Sequence, residues 1–377
     1  MKKLLIASAV SAAFAAPTLA LAQAARAPTL SQVLDASGLD VSGYIDAGYS
    51  YANRNVEAPT GFSDRVFDSQ NNSFALHQFG LRVAKQPSRG FGGVVNITVG
   101  SDAQVIHSFP EVTASTFDLT QAYGQYAMGS LTLMAGKFVT LAGSEVIWSP
   151  GNSNFSHSIL FGAIPFTHTG VRAGYAVSDT VTLYGGVNNG WDQLTDANKG
   201  KTVELGASII PIKPLTINVT GYFGKERAVA PGTPAVAGAQ DQRNMLNVVA
   251  TYTINNRMSA GGEVLYVSQD GAAGGTAKYN GLAGYFTYNL NREWRVAARA
   301  EMFDDKNNFH FGPNNQPVGT DVKYNEITAT LAYLPNSSVE LRAEVRGDRS
   351  DKAVFINSNG STAKTLQTLG LQGIYKF

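Results

Sequence analysis

The sequence predicts an all-β fold, a transmembrane antiparallel up-and-down β-barrel of about 16 strands. Three observations predict it. Charged residues make up only 15% of the 377 residues, cysteine is absent, and Gly (39) and Tyr (16) are abundant. Yet beyond the N-terminus no apolar run reaches the ~18 residues that a membrane-spanning helix needs. Through most of the chain apolar side chains recur at every second position, the period of a strand with a different solvent on each face. The connectors between these segments alternate strictly between short and long, as they must when an even number of strands crosses a membrane with both ends on one side.

In chain order, "MKKLLIASAVSAAFAAPTLALA" carries Lys2 and Lys3, an apolar stretch, and the small residues Ala20 and Ala22. This marks residues 1–22 as a secretory signal peptide. Its removal takes two of the 29 basic residues and none of the 28 acidic ones, leaving 27 against 28, or about −1. That balance gives no reason to expect a nucleic-acid partner. An exported chain without cysteine is not held by disulfides. Residues 23–40 read as an N-terminal periplasmic segment with a short helix: Thr29 and Gln32 have capping-box spacing and Gly38 can end the helix.

The barrel, 41–377, divides into strands at 41–52, 73–86, 91–101, 116–128, 130–139, 168–177, 180–190, 201–211, 214–225, 243–254, 257–268, 279–290, 292–304, 322–334, 338–347 and 365–377. Lengths of about ten residues suit a tilted strand crossing a bilayer. The short connectors, such as "QPSRG", "VSDT" and "LPNSS", are built from turn residues and fall on the periplasmic side. The long ones, at 53–72, 102–115, 140–167, 191–200, 226–242, 269–278, 305–321 and 348–364, are extracellular.

Periodicity then assigns faces. Val339, Leu341, Ala343 and Val345 share one face, with Glu340, Arg342, Glu344 and Arg346 on the other. Four charges in a row do not belong in a dry core, so they face a wet lumen and the apolar face meets lipid. The same parity makes Arg82, Arg172, Arg295, Arg299, Arg342, Arg346, Glu301, Glu326, Glu340 and Glu344 a lumen charge lining, either a solvated wall of paired charges or one side of a transverse field. Tyr126, Tyr175, Tyr252, Tyr288, Trp294, Tyr333, Tyr375 and Phe377 lie on the lipid face near short turns, as a periplasmic aromatic girdle. Tyr49, Tyr51, Phe223 and Tyr266 form an outer counterpart. A chain ending on Phe377 resembles the signal read by the barrel-assembly machinery.

Alternation blurs in the fourth and fifth strands, leaving Phe117 and Leu119, or Leu131 and Leu133, on the lumen side. The connector after them, 140–167, is the longest and unusually apolar. It is expected to fold into the lumen against that apolar wall as the pore constriction, with Glu145, Trp148, Asn152, Asn154 and His157 as its candidate residues. Glu145, its only charge, either anchors the loop or projects a field toward the arginines.

No catalytic grouping stands out. Ser156, His157 and Ser158 are adjacent, but neighbours along an extended chain point apart and the loop holds no Asp. The spacing of His77, His157 and His168 matches no metal-ligand pattern, and no cofactor is expected. "FDDKNN" at 303–308 reads as a polar loop tip, or as a rim contact for a divalent cation or lipopolysaccharide.

The stretches "TFDLTQAYGQYAM", "LMAGKFVTLAGSEV", "NSNFSHSILFGAIPFTHTGVRAGY" and "VNNGWD" resemble the OmpL-like putative β-barrel porin-2 family of Gram-negative outer membranes. The resemblance runs from about Gly43 to Phe377 and is densest over 116–192, through Gly143, Glu145, Asn152, Asn154, Pro165, His168 and Gly170. It implies a water-filled outer-membrane channel. Sixteen strands with an infolded third loop also look like the general porins, which are trimers, so a homotrimer is expected by analogy. The reading is a porin for passive diffusion of small hydrophilic solutes and ions. Its alternatives are a solute-specific channel with Trp148, His157 and Glu145 as contacts, a barrel enzyme, and a structural or adhesive barrel plugged by residues 29–37.

Overall fold

The structure is a computed structural model that describes residues 34, 36–54, 65–109, 115–226, 241–272, 275–311, 319–357 and 359–377. The signal-peptide reading (1–22) and the Thr29–Gln32 capping box lie outside the described residues. In the segment 23–40, Leu34, Ala36 and Ser37 are helical. Gly38 follows at φ +68°, the left-handed conformation that ends helices, and the Leu39 N–H donates to Leu34 O at 3.2 Å.

Residues Asp40–Phe377 form a closed barrel. Its wall runs through β1 (Asp40–Ala52), β2 (Ser73–Lys85), β3 (Arg89–Val99), β4 (Phe117–Met128), β5 (Leu131–Val139), β6 (Thr167–Ser178), β7 (Val181–Asn188) and β8 (Thr202–Ile212). It continues through β9 (Leu215–Glu226), β10 (Asp241–Thr253), β11 (Met258–Ala272), β12 (Gly275–Asn289), β13 (Trp294–Asp305), β14 (Val322–Tyr333) and β15 (Val339–Ser350). After a two-stranded hairpin in the last loop, β16 (Phe355–Ile356) and β17 (Thr362–Ala363), the strand β18 (Thr365–Lys376) pairs with β1 and removes the open edge. Tyr44 stands opposite Lys376 and Ala52 opposite Thr368. Sixteen wall strands match the number read from the sequence. One expected long loop, 269–278, is instead mostly ladder, because β11 and β12 continue to Ala272 and from Gly275.

Two extra residues decide local facing. In β4, Asn96 pairs with Gln121 but Ile97 with Leu119, so Thr120 is a bulge that reverses parity below it. Phe117 (53% exposed) and Leu119 (42%) therefore lie on the outer face, as does Leu133 (42%). The apolar inner wall expected on β4 and β5 does not exist. In β2 the register shifts opposite Asp46 and Ala47, and the extra residue, His77, turns inward beside Gln78.

Along β14, β15 and β18 the alternation holds. Leu341 and Val345 are exposed on the outside while Glu340, Arg342, Glu344 and Arg346 face inward. Tyr126, Tyr175, Tyr252, Tyr375 and Phe377 are exposed at the short-turn end, and Tyr288, Trp294 and Tyr333 share their face half-exposed, with the Trp294 and Tyr333 rings 4.8 Å apart. These four charges, however, are only 2–5% exposed, and Arg172, Arg299, Glu301 and Glu326 are buried as well, so the expected solvated wall is corrected to a sealed one at all its charges but Arg82 and Arg295. The lumen is also apolar at its long-loop end. Met245, Leu265, Tyr279, Phe303, Tyr324 and Leu366 face inward and pack with Leu160 and Ile164 of the third long loop and Val354 and Phe355 of the last. A cylinder of sixteen strands is too wide for wall side chains to fill, so loops complete this packing.

Candidate pore constriction

Loop 140–167 crosses the lumen and is held at nearly every step by a wall side chain. A backbone strand inside a barrel has no ladder partner, so its N–H and C=O groups must be satisfied otherwise. Leaving β5, the Leu141 N–H donates to Tyr222 Oη (3.0 Å, β9), Gly143 N–H to Asn247 Oδ1 (2.9 Å, β10) and Ser144 N–H to Glu263 Oε2 (3.0 Å, β11). Gly143 is required here: its φ is +94°, and an added Cβ would lie 2.5 Å from Ile164 Cδ1.

Glu145 follows and is buried. Its Oε1 accepts from Arg299 Nη1 at 2.7 Å, and its Oε2 from the Ser158 N–H at 2.6 Å. The geometry is that of an anchor between loop and wall, not of a charge aimed into open water. Burial pushes the Glu145 carboxyl upward, but Arg299, His157 and Ser158 outweigh it and hold it below the usual 4.5. A depressed carboxylate stabilises above its unfolded value and loses that contribution as pH falls through its folded one. The ion pair is therefore intact at neutral pH and lost only in acid below about 4.5. Bilayer current is expected to stay quiet from pH 7 to 5 and to become noisier towards pH 3, as the loop is released.

Residues 146–152 close into a hairpin. Asn152 braces it: Oδ1 accepts the Val146 N–H (2.9 Å), and Nδ2 donates to Val146 O (2.7 Å) and lies 3.0 Å from His157 Nε2. At the hairpin tip, Ser149 Oγ donates to Asp46 Oδ2 at 2.5 Å, and Gln78 Nε2 donates to Ile147 O at 2.9 Å. Trp148 stays half-exposed beside Pro150 and Gly151. On the return, Asn154 Nδ2 donates to Thr330 Oγ1 (2.7 Å), and the His157 ring packs against Phe67 and Phe161. A one-turn helix, α1 (Ile159–Gly162), is capped by Ser158 Oγ accepting from Phe161 N–H at 3.0 Å.

The wall charges complete this arrangement. Arg342 donates to Asn152 O (2.6 Å) and Asn154 O (2.9 Å), and Arg346 to His157 O (2.6 Å). Glu344 accepts the Phe155 and Ser156 N–H groups (2.7 and 2.9 Å), and Glu301 those of Ile159 and Leu160 (2.7 and 3.2 Å). Arg299 also pairs with Glu326 (3.0 Å), and Arg295 with Glu340. Arginines thus take loop carbonyls and glutamates take loop amides. The sequence placed these residues on one face but carried no signal for this role, because backbone partners are invisible to composition.

Arg172 is bound bidentately by Glu204 (2.5 and 2.7 Å) and lies over the Phe138 ring at 4.1 Å. Arg82, with 34% of its side chain exposed, pairs with Asp40 at the short-turn mouth.

A further group of inward side chains keeps contact with water. Tyr123, Thr132, Met134, Tyr184, Ser208 and Asn218 are half-exposed. The ladder registers Ser208↔Asn218, Thr182↔Ser208, Gly174↔Tyr184, Thr132↔Gly174 and Met134↔Arg172 put them on one continuous inner face of β4 to β9. That stripe is uncharged, so nothing but parity marks it in the sequence.

The remaining candidates are structural in place. Ser156 Oγ accepts from Arg299, His77 Nδ1 lies 3.3 Å from Asp102, and His168 stacks on Tyr222 at 4.4 Å. Among the described residues no group of three His, Cys, Asp or Glu is placed to hold a metal. In 303–308, Asp304 pairs with Lys306, while Asp305 accepts the N–H groups of Phe309, His310 and Phe311.

Comparison with known proteins agrees with this architecture. The family model described as "Putative beta-barrel porin-2, OmpL-like" matches residues 38–377. No curated protein matches the sequence. Among solved structures, the outer-membrane channel DcaP of Acinetobacter baumannii superposes with a TM-score of 0.61 at 12% identity, covering 90% of this chain and 97% of that one. OprB of Pseudomonas putida gives 0.61 at 14% identity, covering 92% and 96%. A loop-deletion variant of OmpT, an outer-membrane protein of Vibrio cholerae, gives 0.61 at 12%, covering 90% and 99%. At such identities the likeness concerns the fold alone.

Proposed function

Since the chain belongs to the Putative beta-barrel porin-2, OmpL-like family, we propose that solutes cross it between loop 140–167 and the inner face of β4 to β9. The protein is an integral outer-membrane porin through which small hydrophilic solutes diffuse passively. The observation that carries the proposed route is the half-exposed stripe Tyr123, Thr132, Met134, Tyr184, Ser208 and Asn218. The loop fixed to the opposite wall by Arg299, Arg342, Glu301 and Glu344 is the sieve. With Arg299 and Arg346 sealed against Glu145, Glu326 and Asp348, the field across the passage is weak. Selectivity between anions and cations is accordingly modest. No step makes or breaks a bond. Homotrimer assembly, recognition of the Phe377-ended strand by the assembly machinery and lipopolysaccharide contact at the rim extend the same reading.

The route is tested by Ser208→Arg in planar bilayers. A long cation in the stripe should cut single-channel current about two-fold and shift the reversal potential toward anions. A current and reversal potential equal to wild type in a correctly inserted barrel would move the route elsewhere.

A further inference from the structure

The hairpin tip of loop 140–167 leaves a cavity beneath it, of about 300 Å³, at the short-turn mouth of the barrel. Tyr44, Arg82, Asn96, Trp148, Pro150 and Lys376 line it together with Ser42, Gly43, Gly80 and Phe377, and among the described residues no acidic side chain does. We propose that this cavity is a subsite for a small carboxylate carrying a flat ring, a specificity element that rests on the porin reading above.

Placement of the two cations follows from the register. Tyr44 of β1 stands opposite Gly80 of β2 on one side and Lys376 of β18 on the other, with Arg82 one pleat from Gly80. Gly80 is what leaves room for the tyrosine: a Cβ there would lie 2.3 Å from Tyr44 Cε1, so the ring takes the place of a side chain at position 80. Lys376 Nζ is 3.7 Å from Glu340 Oε2, beyond hydrogen-bond length, so its donors remain usable by a ligand. Glu340 is also claimed by Arg295 and Arg342, which leaves three cations about one carboxylate. Arg82 is held by Asp40 at 2.6 Å, but the Asp40 side chain is 66% exposed. Such an exposed pair is worth little, and an incoming carboxylate can replace Asp40. The ring of the ligand would lie on the half-exposed Trp148 and Pro150, where an indole favours a flat partner. The charge excess binds the carboxylate, and the indole selects for the ring.

The test uses the whole protein in planar bilayers in KCl with benzoate as probe, benzamide as its uncharged analogue and acetate as its ringless one. Benzoate is expected to block each protein's own open current at millimolar concentration, ~10-fold more potently than either control and more strongly from one side. R82Q combined with K376Q should remove the advantage over benzamide, and W148A the advantage over acetate. Equal potency of the three probes, or potencies unchanged in the variants, overturns the subsite while leaving KCl conductance to support the porin. A second readout needs no current: benzoate should quench tryptophan fluorescence of the detergent-folded barrel, and W148F should abolish the quench. Quenching that persists in W148F, or none in wild type, also overturns the subsite, and a wild type that quenches but passes no KCl current overturns the porin reading alone.

Discussion

Arg299→Ala should release the third loop and cost about 3–5 kcal/mol, the usual penalty for removing one partner of a buried ion pair. The Arg299 side chain is fully enclosed and its guanidinium serves two elements at once. It donates to Glu326 on the neighbouring β14 (3.0 Å), and to Glu145 (2.7 Å) and Ser156 O (2.6 Å) on the loop. Truncation strands two carboxylates and a carbonyl in a space where they gain little from water. Larger and noisier single-channel currents are expected, with a lower temperature for loss of the compact electrophoretic form. Arg299→Lys should fall between, since one ammonium has no planar fork to reach both carboxylates. Combining Arg299→Met with Glu145→Gln should recover part of the loss, because the cost lies in uncompensated charge. Full wild-type stability and current in Arg299→Ala would mean that the loop is held without this ion pair, by the Arg342, Arg346, Glu344 and Glu301 hydrogen bonds and the packing of Leu160 and Ile164.

Much of this arrangement could be read from the chain before any coordinates. The strand number followed from the alternation of turns and loops, and the facing of Leu341 against Arg342 from period two. What could not be read has identifiable physical causes. A bulge such as Thr120 adds one residue without changing composition, yet it reverses every side chain before it, which is why Phe117 and Leu119 read as lumen residues and sit outside. The sealing of Glu344, Glu301 and Arg342 depends on loop amides and carbonyls, which every residue carries equally. One missed feature did leave a trace. Met302 and Phe303 are adjacent and both apolar, which breaks the alternation where the long-loop end of β13 has lipid on one side and packed loops on the other. Candidate site residues fared unevenly for the same reason: the expected infolding of loop 140–167 placed them in the lumen, but Asn152, Asn154 and His157 turn their polar atoms into the loop and its wall.

The bulge also supplies the second large prediction, insertion of one alanine between Leu119 and Thr120. With one more residue between the Thr120 bulge and Leu119, the rest of β4 shifts by one position, so Asp118 turns toward lipid while Phe117 and Leu119 turn into the lumen. Asp118 now accepts from Lys137 Nζ at 3.1 Å in a buried pair, and Thr120 Oγ1 lies 2.8 Å from Thr98 Oγ1. The insertion would strand Lys137 at a cost of about 3–5 kcal/mol. It would also place a carboxylate against hydrocarbon and two large apolar side chains where α2 (Ala103–Ile106) and loop 140–167 already fill the space. These penalties add in one direction and exceed what a barrel with ordinary stability tolerates. The expected outcome is failure to reach the compact, heat-modifiable form on a gel. By contrast Thr120→Val, which adds no residue and loses only the hydroxyl contact, should assemble with a cost of about 1 kcal/mol. If the insertion variant assembled and conducted normally, the added residue would have been absorbed, and Phe117 and Leu119 would have to be found still facing lipid beside a wider bulge at Thr120.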